Sequence, residues 1–371
     1  MNLKQHKFAI FLMVGNVEGG GGVERFFINF VQFNKNNEVD IITTRESKKN
    51  ILKLCPGFPE NRIKSFPVIN NRFSYAISTF FISLILKKNN YSLIHIANFD
   101  SYYEPIYRFM TNKKKVSLNI IDCRFNPEFS DIRYDKIKKF ISSGNLTAIF
   151  SWYKNAKEAV TGLNKVIFFQ PATVCFTDYE KFKAQKKRNV VVFAARLSSF
   201  KRPDHFLKAV SICLTKNTEL SKTWEFMLWG DGEMASEVNK LISDLHLETK
   251  VKTGFSKDMS EIFNTSSIFV STQMYENFTS LSMLEAMASG NAIVAYDLGQ
   301  TDFFVKDGIN GILVKNESPD ELAVALERLM VTPDLLKKYQ NESVSLAKET
   351  HTIENFSNEL FSFWETALKQ K

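Results

Sequence analysis

Cysteine is scarce. Cys55, Cys123, Cys175 and Cys213 stand far apart in 371 residues and form no Cys-x-x-Cys pair. That argues against a disulfide framework and against a cysteine metal site, and it fits a reducing cytoplasm. Long apolar runs are missing too. The run at 8–14 is far too short for a bilayer, lacks a small-residue cleavage pattern and meets a glycine cluster at once. It reads as a buried first strand rather than a signal peptide. The run at 73–86 has fourteen residues, with serines and a threonine inside, against about twenty needed to cross hydrocarbon. No low-complexity tract or internal repeat of about 20–50 residues is present, so neither a solenoid nor a linker-dominated chain is indicated. Nor is there a nucleic-acid recognition motif, since lysines and arginines are interspersed with acids and not with aromatics.

What is present is a globular composition, 44% hydrophobic, in a chain too long for one ordinary core. Two domains are expected, 1–177 and 178–350, followed by a last helix within 351–371. Net charge is +8, so anions are the natural partners, among them nucleotide phosphates and an acidic membrane surface. Lysines cluster at Lys113, Lys114 and Lys115 and again at Lys136, Lys138 and Lys139. Either cluster suits a phospholipid surface or is simply a solvated face.

Strand-like and helix-like segments alternate in both halves. In the first, strands are expected at 7–14, 38–44, 91–97, 115–121, 146–151 and 165–169, with helices at 23–33 and 73–88. The charged stretch 178–188 has no apolar periodicity and reads as a linker. The alternation then restarts, with strands at 189–195, 225–229, 250–253, 268–271, 292–295 and 311–314. The clearest helix is 319–329, with an acidic first turn. Phe356, Leu360, Phe363 and Trp364 mark an amphipathic helix in the tail. Continuous apolar strands separated by helices indicate parallel sheets covered on both faces, an α/β architecture of two Rossmann-like doubly wound domains. Ligands of such sheets sit beyond the carboxyl ends of the strands.

The most informative stretch is 275–290, Tyr-Glu-Asn-Phe-Thr-Ser-Leu-Ser-Met-Leu-Glu-Ala-Met-Ala-Ser-Gly. It reads as a loop feeding a helix, capped by Thr279 or Ser280 and ended by Gly290 in the left-handed conformation. Leu281, Leu284 and Ala288 form its buried stripe. The backbone N–H groups near Phe278 and Thr279 would face an anion. Glu285 follows roughly 7–8 Å along the rise, within reach of a ribose, while Glu276 in the loop would lie on the sugar side of a diphosphate. The segment resembles the acidic donor-binding motif of the retaining GT-B glycosyltransferases of family 4. Those enzymes separate the two acids by seven residues, whereas Glu276 and Glu285 are separated by eight. Either the loop carries one extra residue or Asn277 occupies the first acidic position.

Further elements share the resemblance, which runs in register from about 189 to 329. Arg196 ends a strand and Lys201 follows in Arg-Leu-Ser-Ser-Phe-Lys. This resembles the family's Arg-Leu-x-x-x-Lys element, whose two cations grip the donor diphosphate. Fixed cations there stabilise the charge that develops on the leaving group, Arg as a two-pronged ligand and Lys as a point charge. Gly254 and Phe255, at another strand end, match the place where the family holds the base through backbone groups. The turns at 230–233, 299–302 and 307–311 read as structural. In the first half, Gly20, Gly21 and Gly22 belong to a Gly-Gly-x-Glu-like loop that approaches donor phosphate or acceptor in the family. Their spacing fits neither Gly-x-Gly-x-x-Gly nor a P-loop. Where the family often has a histidine before an aspartate, this chain has Ile121-Asp122. Asp122, Arg124 and His95 are acceptor-side candidates, although a lone histidine flanked by isoleucines also suits a core.

The resemblance implies two Rossmann-like domains facing a cleft and a C-terminal helix crossing back to the first domain. It implies transfer of a sugar, with retention, from a nucleotide-sugar donor to a surface glycan or lipid-linked oligosaccharide precursor. No cofactor and no metal would be required, because Arg196, Lys201 and the helix N-terminus neutralise the diphosphate. The enzyme would be cytoplasmic, with peripheral contact at the inner face of the cytoplasmic membrane, and would have no nucleic-acid partner. Two alternatives remain open: a nucleotide-sugar epimerase, which needs no acceptor, and a non-catalytic GT-B-like partner of another transferase. An NAD-dependent dehydrogenase would rest only on the glycine cluster and Glu46.

Overall fold

A computed structural model of the chain describes residues 6–15, 22–34, 39–67, 72–120, 132–142, 145–162, 167–275 and 280–370. They divide into two compact units, Met1–Cys175 with Ile353–Lys371, and Phe176–Thr352.

The first unit runs β1 (Phe8–Phe11), α1 (Gly22–Phe33), β2 (Val39–Thr44), α2 (Arg45–Leu54), β3 (Ile63–Phe66), α3 (Arg72–Asn89), β4 (Leu93–Ile96), α4 (Glu104–Thr111), β5 (Lys115–Ile120), α5 (Ile132–Ser142), β6 (Ala148–Ser151), α6 (Lys154–Val160) and β7 (Ile167–Phe169). The strands form one sheet in the order β3-β2-β1-β4-β5-β6-β7, and each described pairing is parallel. Phe8 pairs with Val39 on one side and Leu93 on the other, and Ile10 with Ile41 and His95. Short apolar strands with both faces buried need helices above and below. On one face Phe11, Ile94 and Ile96 pack with Ile82 and Leu86 of α3 and Tyr107 of α4. β3, absent from the sequence reading, begins and ends on buried residues but has a half-buried Lys-Ser centre, which breaks the apolar run that marks the other strands.

The other face is closed by the last helix, α14 (Ile353–Lys369), which belongs to this unit. Trp364 stacks on Phe8 at 4.7 Å, Phe356 meets Phe26 at 4.3 Å and Phe363 meets Phe150 at 5.3 Å. Glu359 accepts the N–H groups of Ala172 and Thr173, at 3.1 and 3.2 Å. Lys115 Nζ donates to the Leu368 carbonyl at the helix C-terminus, at 2.7 Å, where a cation complements the macrodipole.

The second unit runs β8 (Val190–Ala194), α7 (Pro203–Lys216), α8 (Leu220–Thr223), β9 (Glu225–Trp229), α9 (Ala235–Asp244), β10 (Val251–Gly254), α10 (Ser260–Thr265), β11 (Ile268–Ser271), α11 (Leu281–Ala288), β12 (Ala292–Tyr296), β13 (Gly311–Val314), α12 (Pro319–Met330) and α13 (Pro333–Thr350). Its six parallel strands lie in the order β10-β9-β8-β11-β12-β13. Two Rossmann-like parallel-sheet units are thus present, as the alternating pattern predicts.

The stretch 178–188 is not a free tether, which corrects the linker reading. Phe182 is buried, Gln185 N–H and Arg188 N–H bond the carbonyls of Asn264 and Thr265, and Lys187 Nζ donates to Phe263 and Ser289 carbonyls. Burial, with Lys337 nearby, pulls the Lys187 ammonium down to about 7. The charges conceal this packing: Lys187 is spent on backbone carbonyls, while Lys181 pairs with Asp258 and Arg188 with Glu225.

Candidate functional site

In the second unit the chain winds outward from β8 through β9 to β10, then returns to the other side of β8 for β11, β12 and β13. The winding reverses between β8 and β11, and in open parallel sheets that reversal leaves a crevice at the carboxyl ends. The segments that leave β8 and β11 therefore define the site.

Arg196 and Lys201 lie on the segment after β8. Arg196 is exposed and, among the described residues, has no ion pair. Its backbone is fixed by the turn after β9: Leu197 N–H bonds Asp231 O at 2.9 Å, and Met234 N–H bonds Leu197 O at 3.0 Å. The turn at 230–233 thus positions the cationic loop. Lys201 is half-buried and is tied across the reversal. Thr272 Oγ1, just beyond β11, lies 2.9 Å from Lys201 O and 2.8 Å from Arg202 O. Met274 N–H bonds Phe200 O at 2.9 Å, and Lys201 Nζ donates to Gln273 Oε1.

Gln273, Phe200 and Tyr275 were not singled out from the sequence. Gln273 is buried, and the Tyr275 ring, partly exposed, lies 5.4 Å from that of Phe200. Tyr275 has φ +67°, a left-handed conformation that costs an ordinary side chain roughly 1 kcal/mol or more. No local pattern announces these roles, because the β8 and β11 segments are about 70 residues apart and meet only through strand order. Arg202, also left-handed at φ +47°, precedes Pro203 at the start of α7 and pairs with Glu317. Beside it His205 Nδ1 lies 2.7 Å from the hydroxyl of buried Tyr296 at the end of β12. Burial holds the His205 imidazole below its ordinary value and the Tyr296 phenol above its own.

α11 opens at this same edge. Ser280 is its N-cap, with Oγ accepting from Met283 N–H at 3.4 Å. Met283, Leu284, Ala286, Met287 and Ala288 are buried, while Leu281, Ser282 and Glu285 are half-buried. The buried surface is broader than the stripe of Leu281, Leu284 and Ala288. Glu285 occupies the accessible side, one turn beyond Leu281. Gly290 ends the segment at φ +74°, and a Cβ there would sit 3.0 Å from Ala184 Cβ. Glu276, Asn277, Phe278 and Thr279 lie outside the described residues.

Gly254 ends β10 and Phe255 follows it, at the same carboxyl edge. A Cβ on Gly254 would come within 2.7 Å of the Trp229 ring, so the close approach of that indole requires glycine. Gly254 O accepts from Gly230 N–H at 2.8 Å, and Phe255 is 63% exposed.

The first unit is less complete. Gly20, Gly21, Asp122 and Arg124 lie outside the described residues, and Gly22 begins α1. His95 is 0% exposed, ringed by Phe27, Phe150, Phe363 and Trp364, with Nδ1 2.8 Å from Ser117 Oγ. Burial lowers it to about 3. A ring enclosed beneath α14 cannot touch an acceptor, which corrects that expectation; strand alternation turned it inward. Among the described residues no group of three or more His, Cys, Asp or Glu could hold a metal, and no helix is long and apolar enough to cross a membrane.

Comparison with known proteins bears on the second unit and on the fold. Residues 176–344 match the family model of glycosyl transferases group 1. Poly(ribitol-phosphate) alpha-N-acetylglucosaminyltransferase of Staphylococcus aureus is 30% identical over 173 residues, 46% of this chain and 33% of that protein. Alpha-D-kanosaminyltransferase of Streptomyces kanamyceticus is 24% identical over 176 residues, 47% of this chain and 44% of that protein. The chain spans less than half the length of these curated relatives. Anabaena HepE, solved with UDP and glucose, superposes with a TM-score of 0.74 at 16% identity, covering 97% of this chain and all of the other. The pneumococcal O-GlcNAc transferase GtfA, solved with UDP and GlcNAc, gives 0.70 at 13% identity, covering 98% of this chain and 100% of the other. At these identities the likeness concerns the fold, two Rossmann-like domains of GT-B type.

Proposed function

We propose, from the match of residues 176–344 to the group 1 glycosyl transferase model, that this protein transfers a sugar from a nucleotide-sugar donor to a surface glycan or a lipid-linked precursor. One observation carries the reading: the Arg196–Lys201 loop is bonded across the β8/β11 reversal to residues 272–274, beside the N-cap of α11. Two cations and a helix N-terminus there suit a diphosphate that gains charge as the sugar departs. Glu285, half-buried one turn along α11, is assigned to the donor ribose, and Glu276 to the sugar side. HepE and GtfA were both solved with UDP, which makes uridine diphosphate sugars the first donors to test.

In this reading the reaction proceeds with retention, as in family 4. The acceptor oxygen attacks on the face the diphosphate leaves, and its proton passes to the departing phosphate oxygen, so no separate strong base is needed. Arg196 and Lys201 take up the charge without a metal ion. The work is done at the cytoplasmic side of a membrane.

The test is transfer across a panel of uridine, guanosine and adenosine diphosphate sugars, with and without acceptor. Arg196→Ala, Lys201→Ala and Glu285→Ala should each lose about 100-fold or more, the scale of one electrostatic stabiliser. Wild-type turnover in all three overturns the site. Sugar conversion without an acceptor would instead indicate an epimerase.

A further inference from the structure

α3 has two apolar faces. Ser78, Ile82 and Leu86 point into the core of the first unit, with Ile82 and Leu86 in its hydrophobic cluster. The opposite row, at steps of four, is Ala76, Phe80, Leu84 and Lys88, and every member is exposed. Phe80 is 61% exposed and Leu84 47%. No charged residue occurs from Ser74 to Leu86. A helix face turned to water is ordinarily polar, so this row is anomalous over nearly three turns.

The apolar row ends in cations. Lys87 and Lys88 are exposed in the last turn of α3. The loop after α4 adds Lys113, exposed, and Lys114, whose Nζ donates to Asn90 Oδ1 at 3.1 Å directly beyond α3. Among the described residues none of these four lysines has an ion pair with a carboxylate. Lys115 is different, being turned to the C-terminus of α14. The structure therefore separates the lysine cluster into a structural member and two that extend the exposed face of α3.

We propose that this face, Phe80 and Leu84 bordered by Lys87, Lys88, Lys113 and Lys114, is a docking surface for an anionic lipid bilayer. Apolar side chains enter the headgroup boundary while lysines at one end meet lipid phosphates, the arrangement of an interfacial helix. The four lysines, without an ion pair to a carboxylate among the described residues, favour an acidic bilayer over a second copy of the chain, whose corresponding face repeats the same positive charge. The surface lies in the first unit, and its test does not need sugar transfer, so it stands or falls separately from the proposed reaction.

The full chain is sedimented with sucrose-loaded vesicles of phosphatidylcholine alone or enriched in phosphatidylglycerol. Pelleting is expected with the anionic vesicles and weakens with salt. Lys87→Ala with Lys88→Ala should weaken binding about 25-fold, at roughly fivefold per lysine. Phe80→Ser with Leu84→Ser should weaken it at least tenfold. Val324→Ser with Val331→Ser, at exposed apolar positions of the second unit, should bind as wild type. Melting curves establish that each variant is folded. Failure of the wild type to pellet, or full binding by both folded α3 variants, overturns the proposal. Self-association lost in Phe80→Ser/Leu84→Ser without vesicle binding also overturns it, in favour of a second copy.

Discussion

Lys201 offers the sharpest test of the proposed donor site, because its neighbour sets how far it can move. Its backbone carbonyl is held by Thr272 Oγ1 at 2.9 Å and its ammonium by Gln273 Oε1. A half-buried charge about 4 Å from a phosphate oxygen interacts by ~4 kcal/mol at an effective dielectric near 20. Part of that attraction is already present in the bound donor. The remainder, gained as the diphosphate departs, corresponds to a loss of ~10²–10³-fold in Lys201→Ala. Gln273→Ala keeps the charge and removes one charge-assisted hydrogen bond of ~1.5–3 kcal/mol; part of that is regained when the ammonium meets phosphate, so a loss of about tenfold is expected. The two effects share one interaction and should not add. The double variant should therefore resemble Lys201→Ala alone. Single-turnover donor consumption at saturating acceptor measures all three, and circular dichroism confirms folding. A loss below about threefold in Lys201→Ala, or a double variant showing the full product of both losses, would refute the reasoning.

Two further outcomes concern stability. His95 and His351 are buried and are held down to about 3 and about 4, respectively, chiefly by desolvation. Their folded values lie below an unfolded value near 6.5, so the stabilisation is present above that pH and is lost as pH falls toward the folded values. One such histidine lies in each unit. Each unit should lose about 2 kcal/mol between about pH 6.5 and pH 4.5, where the slope rises from half to nearly all of ~1.36 kcal/mol per pH unit; urea midpoints unchanged across that range would contradict this. Trp364→Ala removes a fully buried ring stacked on Phe8 and should destabilise the first unit by ~3–5 kcal/mol. Near-wild-type unfolding would show that α14 is dispensable to that core.

Much of the second unit was legible because its signals are local. β9, β11 and β13 have the limits that apolar runs predict, since a buried parallel strand is a short uninterrupted apolar stretch bounded by polar residues. The Ser280 cap and the Gly290 terminus follow from side-chain and backbone chemistry within one turn of helix. β3 was missed because its central Lys-Ser pair interrupts the apolar pattern, and 178–188 was misread because Lys187 bonds carbonyls about 75–100 residues away while Phe182 packs beneath a charged surface. His95 carried the right bland reading beside the sharper one; only burial chose between them.

By itself the sequence determined two parallel-sheet units, the strand ends that bear Arg196 and Lys201, and the capped helix that bears Glu285, because propensity, apolar patterning and capping act over a few residues. Strand order was decided in three dimensions. It put β11 beside β8, and so brought Thr272 and Gln273 to Lys201 across about 70 residues, and it turned His95 beneath α14. Such contacts depend on how sheets wind and which faces pack, and no short stretch of chain encodes them.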